Sequence, residues 1–305
     1  MTAAIRETST SPNENHNQKA RTTAMTALTP AATATGSLSP APRVTFRGVL
    51  RSEWIKLRSL RSSVWAAVLA VGTTALFTGL IALGFLVAPT SGEDPVEIID
   101  ATFGDRPAIG ALGFVILISQ SIVAILGVLV VSTERGSGLL AVTATAVPRR
   151  TPILAAKLVV SAVAGFVLGL VSSAVTYLLL QPALAALGME AWIVDAPTVQ
   201  ALIGGAVYLA LIAVFGTALG SLFRSTAAGL GLVLGIILAA PALLPMIPVI
   251  GGTLARILPT SVGMLLFQPF DEVGWTTVLT GLAILLAEVA AAAVVAGALW
   301  KRRDV

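Results

Sequence analysis

Cysteine is absent from the chain and histidine occurs once, as His16. The first absence excludes disulfides, thiolate metal sites and cysteine nucleophiles. The second leaves no histidine metal centre and no Ser-His-Asp triad in the body of the chain. Charge is scarce as well: Asp, Glu, Lys and Arg make up 11% of the 305 residues, where a soluble domain carries about a quarter. Hydrophobic residues fill 56%. Such a chain cannot cover a water-facing surface with polar groups, so an all-α, polytopic membrane protein is predicted. A Gly-x-x-x-x-Gly-Lys-Ser/Thr phosphate loop is missing too, so the chain is not expected to cradle ATP itself.

Residues 1–42 differ from the remainder of the chain, being rich in Thr, Ala, Ser, Pro and Asn without apolar periodicity. They cannot bury enough surface to offset the entropy of ordering, and read as a disordered tail. No apolar stretch comes after the first charges, which argues against a signal peptide. His16, near Glu14 and Asn17, reads as a solvated tail residue rather than a metal ligand.

A bilayer core about 30 Å thick needs roughly 20 apolar residues in a helix. Six stretches qualify: 64–87, 108–131, 154–180, 198–222, 226–249 and 276–300. Beyond the tail, fourteen Lys and Arg fall on one side of this pattern: Arg43, Arg47, Arg51, Lys56, Arg58, Arg61, Arg135, Arg149, Arg150, Lys157, Arg224, Lys301, Arg302 and Arg303. Only two, Arg106 and Arg256, fall on the other, among most of the acidic residues. The positive-inside rule then puts both termini in the cytoplasm of a plasma-membrane protein. Trp275 and Trp300 bracket the last stretch at a spacing suited to the two interfacial belts. Gly-x-x-x-Gly pairs at 165/169, 216/220 and 231/235 predict close helix packing, or alternatively a moving interface.

Ahead of the first span, residues 43–63 place Phe46, Val49, Leu50, Trp54, Leu57 and Leu60 at helical spacing, with Arg47, Arg51, Lys56 and Arg58 on other faces. This is a basic amphipathic helix suited to the interface, with Glu53, Trp54, Lys56 and Arg58 as its candidate functional residues. It reads either as an anchor or as a lever that couples a cytoplasmic partner to the first span. Residues 132–157 form a connection much longer than a turn, in which Leu139, Leu140, Val142 and Val147 suggest a short helix ended by Pro148. Glu134 and Arg149/Arg150 flank it, offering an apolar ridge with charged ends.

Two polar residues deep within the spans stand out. Glu288, near the middle of the last one, is expected to face the bundle or a wet cavity, or to be protonated. It reads either as a proton- or cation-handling group or as a packing residue hydrogen-bonded to a neighbouring helix. Gln120, between Ser119 and Ser121, is a candidate for the translocation route or for interhelical hydrogen bonding.

Glu134, Gly138, Thr143, Pro148-Arg149-Arg150 and Lys157 resemble the cytoplasmic coupling segment of type-2 ATP-binding-cassette (ABC) exporter permeases. Residues 51–65 are similar to the first helix of actinobacterial members, 219–228 to their fourth-to-fifth span turn, and Leu258-Pro-Thr-Ser-Val-Gly263 and Arg302-Arg303-Asp304 to two further pieces. The resemblance covers about residues 43–305, with its pieces in the family's order. It implies a six-span protomer that dimerises with itself or a sister permease. Each protomer would present a coupling helix, here Glu134, Gly138, Pro148, Arg149 and Arg150, to a separate ABC-type ATPase. ATP and Mg would bind that partner, and this chain would hold no cofactor or metal and would not be an enzyme. Residues 250–274 would supply re-entrant helices in the second external loop. The function implied is export of an amphipathic or hydrophobic substrate, such as a drug or antibiotic. A proton-coupled carrier using Glu288 is the alternative, and an intramembrane enzyme is a third reading that lacks a clustered nucleophile and base. Lipids are expected partners; nucleic acid is not, because the basic excess sits where the orientation rule already requires it.

Overall fold

The computed structural model describes residues 45–87, 94–136, 151–189 and 195–302, and every regular element among them is helical. The tail over 1–42 and most of the connection after the second span lie outside the described residues.

Helix α1 (Phe46–Ser59) starts where the Thr45 hydroxyl accepts a hydrogen bond from the Gly48 N–H at 3.2 Å, the usual service of a Thr cap. It ends at Leu60, which is extended, and α2 (Arg61–Val87) begins immediately after. The face that α1 buries is narrower than the apolar pattern predicts. Val49 and Glu53, one turn apart, are buried, while Phe46 is exposed. Glu53 stands within this apolar stripe, seven residues from Phe46 and on the same face, and there it meets a lysine of the third span.

A short helix α3 (Pro95–Phe103), capped by the Asp94 carboxylate on the Val96 N–H, precedes α4 (Pro107–Gly136). Then come α5 (Thr151–Ala186), α6 (Ala196–Leu222) and α7 (Thr226–Leu234). Among the described residues six helices are long and apolar enough to cross a membrane: α2, α4, α5, α6, the helical run 226–246 that α7 opens, and a final helix from Trp275. These are the six predicted stretches, most of them a few residues longer. At 36 residues α5 is roughly 54 Å long, well beyond a bilayer core.

The fifth span is not one α-helix. After α7 come a π-helical turn over Gly235–Ala239, then α8 (Ala240–Leu243) and a 3-10 turn over Leu244–Met246. Pro241 has no N–H to donate to the Ile237 carbonyl, and the Thr260 hydroxyl donates to it instead at 3.2 Å. A proline break inside a span is thus repaired by a side chain from elsewhere in the fold.

Burial separates centre from periphery. In α4 and α6, 61% of the apolar window is buried, against 22% in α2 and in the last span and 17% in the fifth. Glycines bring the central pair together: a Cβ on Gly216 would strike the Ala124 carbonyl, and one on Gly127 the Ala213 carbonyl. Gly165 and Gly169 of α5 lie against the α6 backbone in the same way, with Ala206 Cα 2.6 Å from where a Gly169 Cβ would stand. The third pair, Gly231 and Gly235, meets nothing within 4 Å.

Between the fifth and sixth spans the chain makes α9 (Gly251–Arg256), α10 (Pro259–Met264), a 3-10 turn over Leu265–Phe267 and α11 (Phe270–Val273). Of these, α10 and the 3-10 turn pack against α6 and against α12 (Trp275–Arg302), α11 packs against α12, and α9 packs on the 3-10 turn that ends the fifth span. Gly263 accepts the Tyr208 ring, Gly204 the Leu266 carbonyl, and Gly281 the Val262 carbonyl. Along α12 the buried stripe is Leu285, Val289, Ala292, Ala296 and Trp300. Trp300 is therefore a core residue, not the interfacial anchor that its spacing from Trp275 suggests. Trp275 is 62% exposed and stacks on Phe270 with ring centroids 3.5 Å apart.

Gly216→Ala is expected to destabilise the bundle by roughly 1–3 kcal/mol through forced separation of α4 and α6. Gly231→Ala, which adds its methyl to open space, should not destabilise. Thermal unfolding of both variants in one detergent checks this, and equal midpoints would contradict the packing.

Candidate functional site

A lysine three residues inside an apolar run carries a charge that hydrocarbon cannot solvate. Lys157 is such a residue, on the first turns of α5, and it is fully buried. Its Nζ lies 2.7 Å from Glu53 Oε2 of α1 and 3.3 Å from the Val130 carbonyl near the end of α4. The other carboxylate oxygen, Glu53 Oε1, accepts from Lys56 Nζ at 2.7 Å. Glu53 is 2% exposed at its side chain and Lys157 0%, so solvent screens the pair little. One cation thereby gathers three elements: the amphipathic helix, the end of the second span and the start of the third. The last two are the stems of residues 137–150, which α4 and α5 flank.

Of the other candidate residues at this end, Lys56 is the second partner of Glu53, which stands at the centre of the cluster. Trp54 is half-buried and Arg58 exposed on α1. Glu134 belongs to the last turn of α4. Gly138, Pro148, Arg149 and Arg150 lie outside the described residues. Sequence reasoning placed Glu53 and Lys157 in separate features and did not join them. The available signal was a lone lysine at the start of an apolar span and a lone acid in a basic helix.

The intramembrane polar residues form a second group around α6. Gln120 of α4 is buried and its Oε1 accepts a hydrogen bond from the Tyr208 hydroxyl of α6. Next to it, the Ser119 hydroxyl is 2.9 Å from that of Thr74 on α2. Further links of the same kind are Thr217 to Ser161 at 2.7 Å and Thr78 to Thr176 at 3.3 Å. Interhelical bonds of this sort contribute about 0.6 kcal/mol each in a membrane bundle. Gln120 is thus a helix-to-helix fastener within the protomer. Glu288 is half-buried beside the buried α12 stripe, and its Oε2 is buried with no hydrogen-bond partner among the described residues. Tyr208 lies within electrostatic reach of Glu288 and of Thr260, so α10, α6 and α12 converge there. Among the described residues no cluster of acids or histidine could hold a metal ion.

At the far end of the bundle Arg106, just before α4, clamps α11. Its guanidinium is 2.5 Å from Asp271 Oδ2 and 3.4 Å from Glu272 Oε1. The Gln200 side chain at the start of α6 completes the attachment: its amide nitrogen donates to the Gln268 carbonyl, and its oxygen accepts from the Phe270 N–H at 2.9 Å. The hydrogen bond from Arg106 holds the Asp271 carboxyl below the usual carboxylate range. The pair is exposed, so its contribution is small and falls with salt.

Lys157→Met leaves the buried Glu53 carboxylate with Lys56 alone and is expected to cost about 3 kcal/mol of stability, while adding Glu53→Leu should recover most of the loss. A double-mutant cycle by thermal unfolding checks this, and additive losses would contradict the pairing. Because the folded-state pKa of Asp271 is lowered, the Arg106 clamp stabilises above the unfolded carboxylate range and is lost as pH falls through the folded value. The difference in midpoint between the wild-type chain and Arg106→Gln should therefore be present at neutral pH and close in strong acid. A difference independent of pH would contradict it. No protein-family model matches the chain, and no curated protein is similar to it.

Proposed function

We propose that the chain is the membrane permease subunit of an ATP-driven ABC exporter, with both termini in the cytoplasm of the plasma membrane. In this reading the segment 132–157 is the coupling element that a separate ATPase grips. The observation that carries the proposal is the Lys157 cluster. A push on residues 137–150 reaches α4 and α5 directly, and through Glu53 it reaches α1, which leads straight into α2. A buried ion pair is a costly way to hold two helices together, and its worth here is the rigid joint it makes. ATP and Mg act on the partner chain, and this chain contributes the moving wall.

The expected homodimer, or pairing with a sister permease, is supported by the fifth span. It is the least buried of the six, and Gly231 and Gly235 leave its surface open to close approach by another helix. The substrate class is amphipathic or hydrophobic, moving outward as in the exporters the sequence resembles. Residues 250–274 act as the re-entrant segment of the second external loop, a reading supported by the packing of α10 and the following 3-10 turn on α6 and α12.

Glu288 supports a second reading, a proton-coupled carrier, because its buried oxygen without a hydrogen-bond partner is of the kind that takes up and releases a proton. The two readings separate in one set of transport assays. For the ATP-driven reading, Glu134→Ala and Arg149→Ala should lower ATP-dependent export at least tenfold with unchanged membrane levels, and Glu288→Gln should change it less than about threefold, roughly 0.6 kcal/mol. Loss of export in Glu288→Gln, together with arrest by an uncoupler while ATP persists, would overturn it in favour of proton coupling.

A further inference from the structure

The basic side of α1 faces a groove. Its cavity of about 640 Å³ lies between α1 and α5, lined on one side by Arg47, Leu50, Arg51 and Trp54 and on the other by Val159, Val160 and Val163. The volume falls within the range of small-ligand sites. Arg47, Arg51 and Trp54 stand at intervals of four and three, so they share one face of the helix. Neither arginine makes an ion pair among the described residues, and the one acid of α1, Glu53, is occupied on another face by Lys157 and Lys56. Among the described residues no carboxylate lines the cavity. The valine wall starts two residues beyond Lys157 and runs along α5 into its apolar window, with Val159 and Val163 more than 40% exposed.

Two guanidinium groups without an ion pair among the described residues call for an anion, and the exposed Val159 and Val163 beside Leu50 call for hydrocarbon attached to it. We infer that this groove binds one anionic glycerophospholipid, its phosphate between Arg47 and Arg51 and the upper part of an acyl chain along Val159, Val160 and Val163. The leaflet on the basic side of a bundle is the one rich in anionic lipid. Trp54 at the mouth of the groove suits the headgroup level, where indole rings settle. A free phosphate would use the arginines and leave the apolar wall uncovered, so the lipid is the better match. The lipid would then wedge α1 against α5 beside the Lys157 cluster. The inference needs the membrane reading and its basic side, and it stands whether or not an ATPase drives the chain.

The test is selective stabilisation of the full chain in a neutral detergent. Phosphatidylglycerol, phosphatidylcholine and inorganic phosphate are added in turn, with lipid retention read by native mass spectrometry. Phosphatidylglycerol should raise the thermal midpoint and be retained in preference to phosphatidylcholine, and phosphate alone should do neither. Arg47→Gln with Arg51→Gln should reduce that preference about thirtyfold, from about 1 kcal/mol per basic residue near an anionic surface. Arg256→Gln, on α9 and away from the groove lining, should leave it intact. Val163→Trp, which fills the groove with both arginines in place, should also lower retention. Equal effects of the two lipids, full stabilisation by phosphate, or an unchanged preference in both groove variants would each overturn the inference.

Discussion

A positive charge that has nowhere to go in hydrocarbon organises one end of this molecule. Lys157 sits at the base of α5, fully buried, and the fold answers it with a carboxylate from α1 and a carbonyl from α4. Removing two charges from water costs several kcal/mol, so the pair persists only where geometry is tight and the remaining valences are filled. Lys56 on the second oxygen of Glu53 supplies part of that filling. The consequence is mechanical. Three elements that could slide along apolar contacts are pinned at one point, and that point adjoins both stems of the segment from 137 to 150.

The rest of the bundle is fastened by other means. Its centre is the α4–α6 contact, where glycines remove side chains and carbonyls approach directly. Hydroxyl and amide pairs, such as Gln120 with Tyr208 and Thr217 with Ser161, add directional links at depth. At the far end Arg106 and Gln200 hold α11 and the turn before it. The fifth span departs from this pattern. Pro241 breaks its ladder, Thr260 repairs the exposed carbonyl, and most of its surface is left without a neighbour in the protomer. A closely packed central pair therefore stands beside a sparsely packed flank.

Periodicity and charge count governed how much of the fold was legible in the sequence. Six apolar runs of the right length became six helices, because a run of Leu, Val and Ala has one stable backbone solution in lipid. The α1 helix and its apolar face were legible from spacing, but why an acid stands within that face was not, since the partner of Glu53 lies 104 residues away. Tertiary pairs of this kind leave no local pattern. The same holds for Tyr208, one aromatic among many apolar residues of α6 until Gln120 and Gly263 meet it. Trp300 shows the opposite failure, since a belt-like spacing was present and the buried stripe of α12 claimed the residue. The fifth span read as an ordinary helix because Pro241 is tolerated in sequence terms whenever a neighbour supplies the missing donor.

The central claim is that α1 and the stems of the coupling segment move as one body because Lys157 joins them. Distance measurement between paired spin labels tests it directly, and the absence of native cysteine allows clean labelling. Labels at Arg58→Cys on α1 and Val167→Cys on α5 report across the joint from exposed positions. The account predicts one narrow distance distribution that is the same with and without ATP and the ATPase proposed as partner, and that broadens in Lys157→Met. A distance that shifts with nucleotide in the wild-type chain, or stays narrow without the lysine, would contradict it.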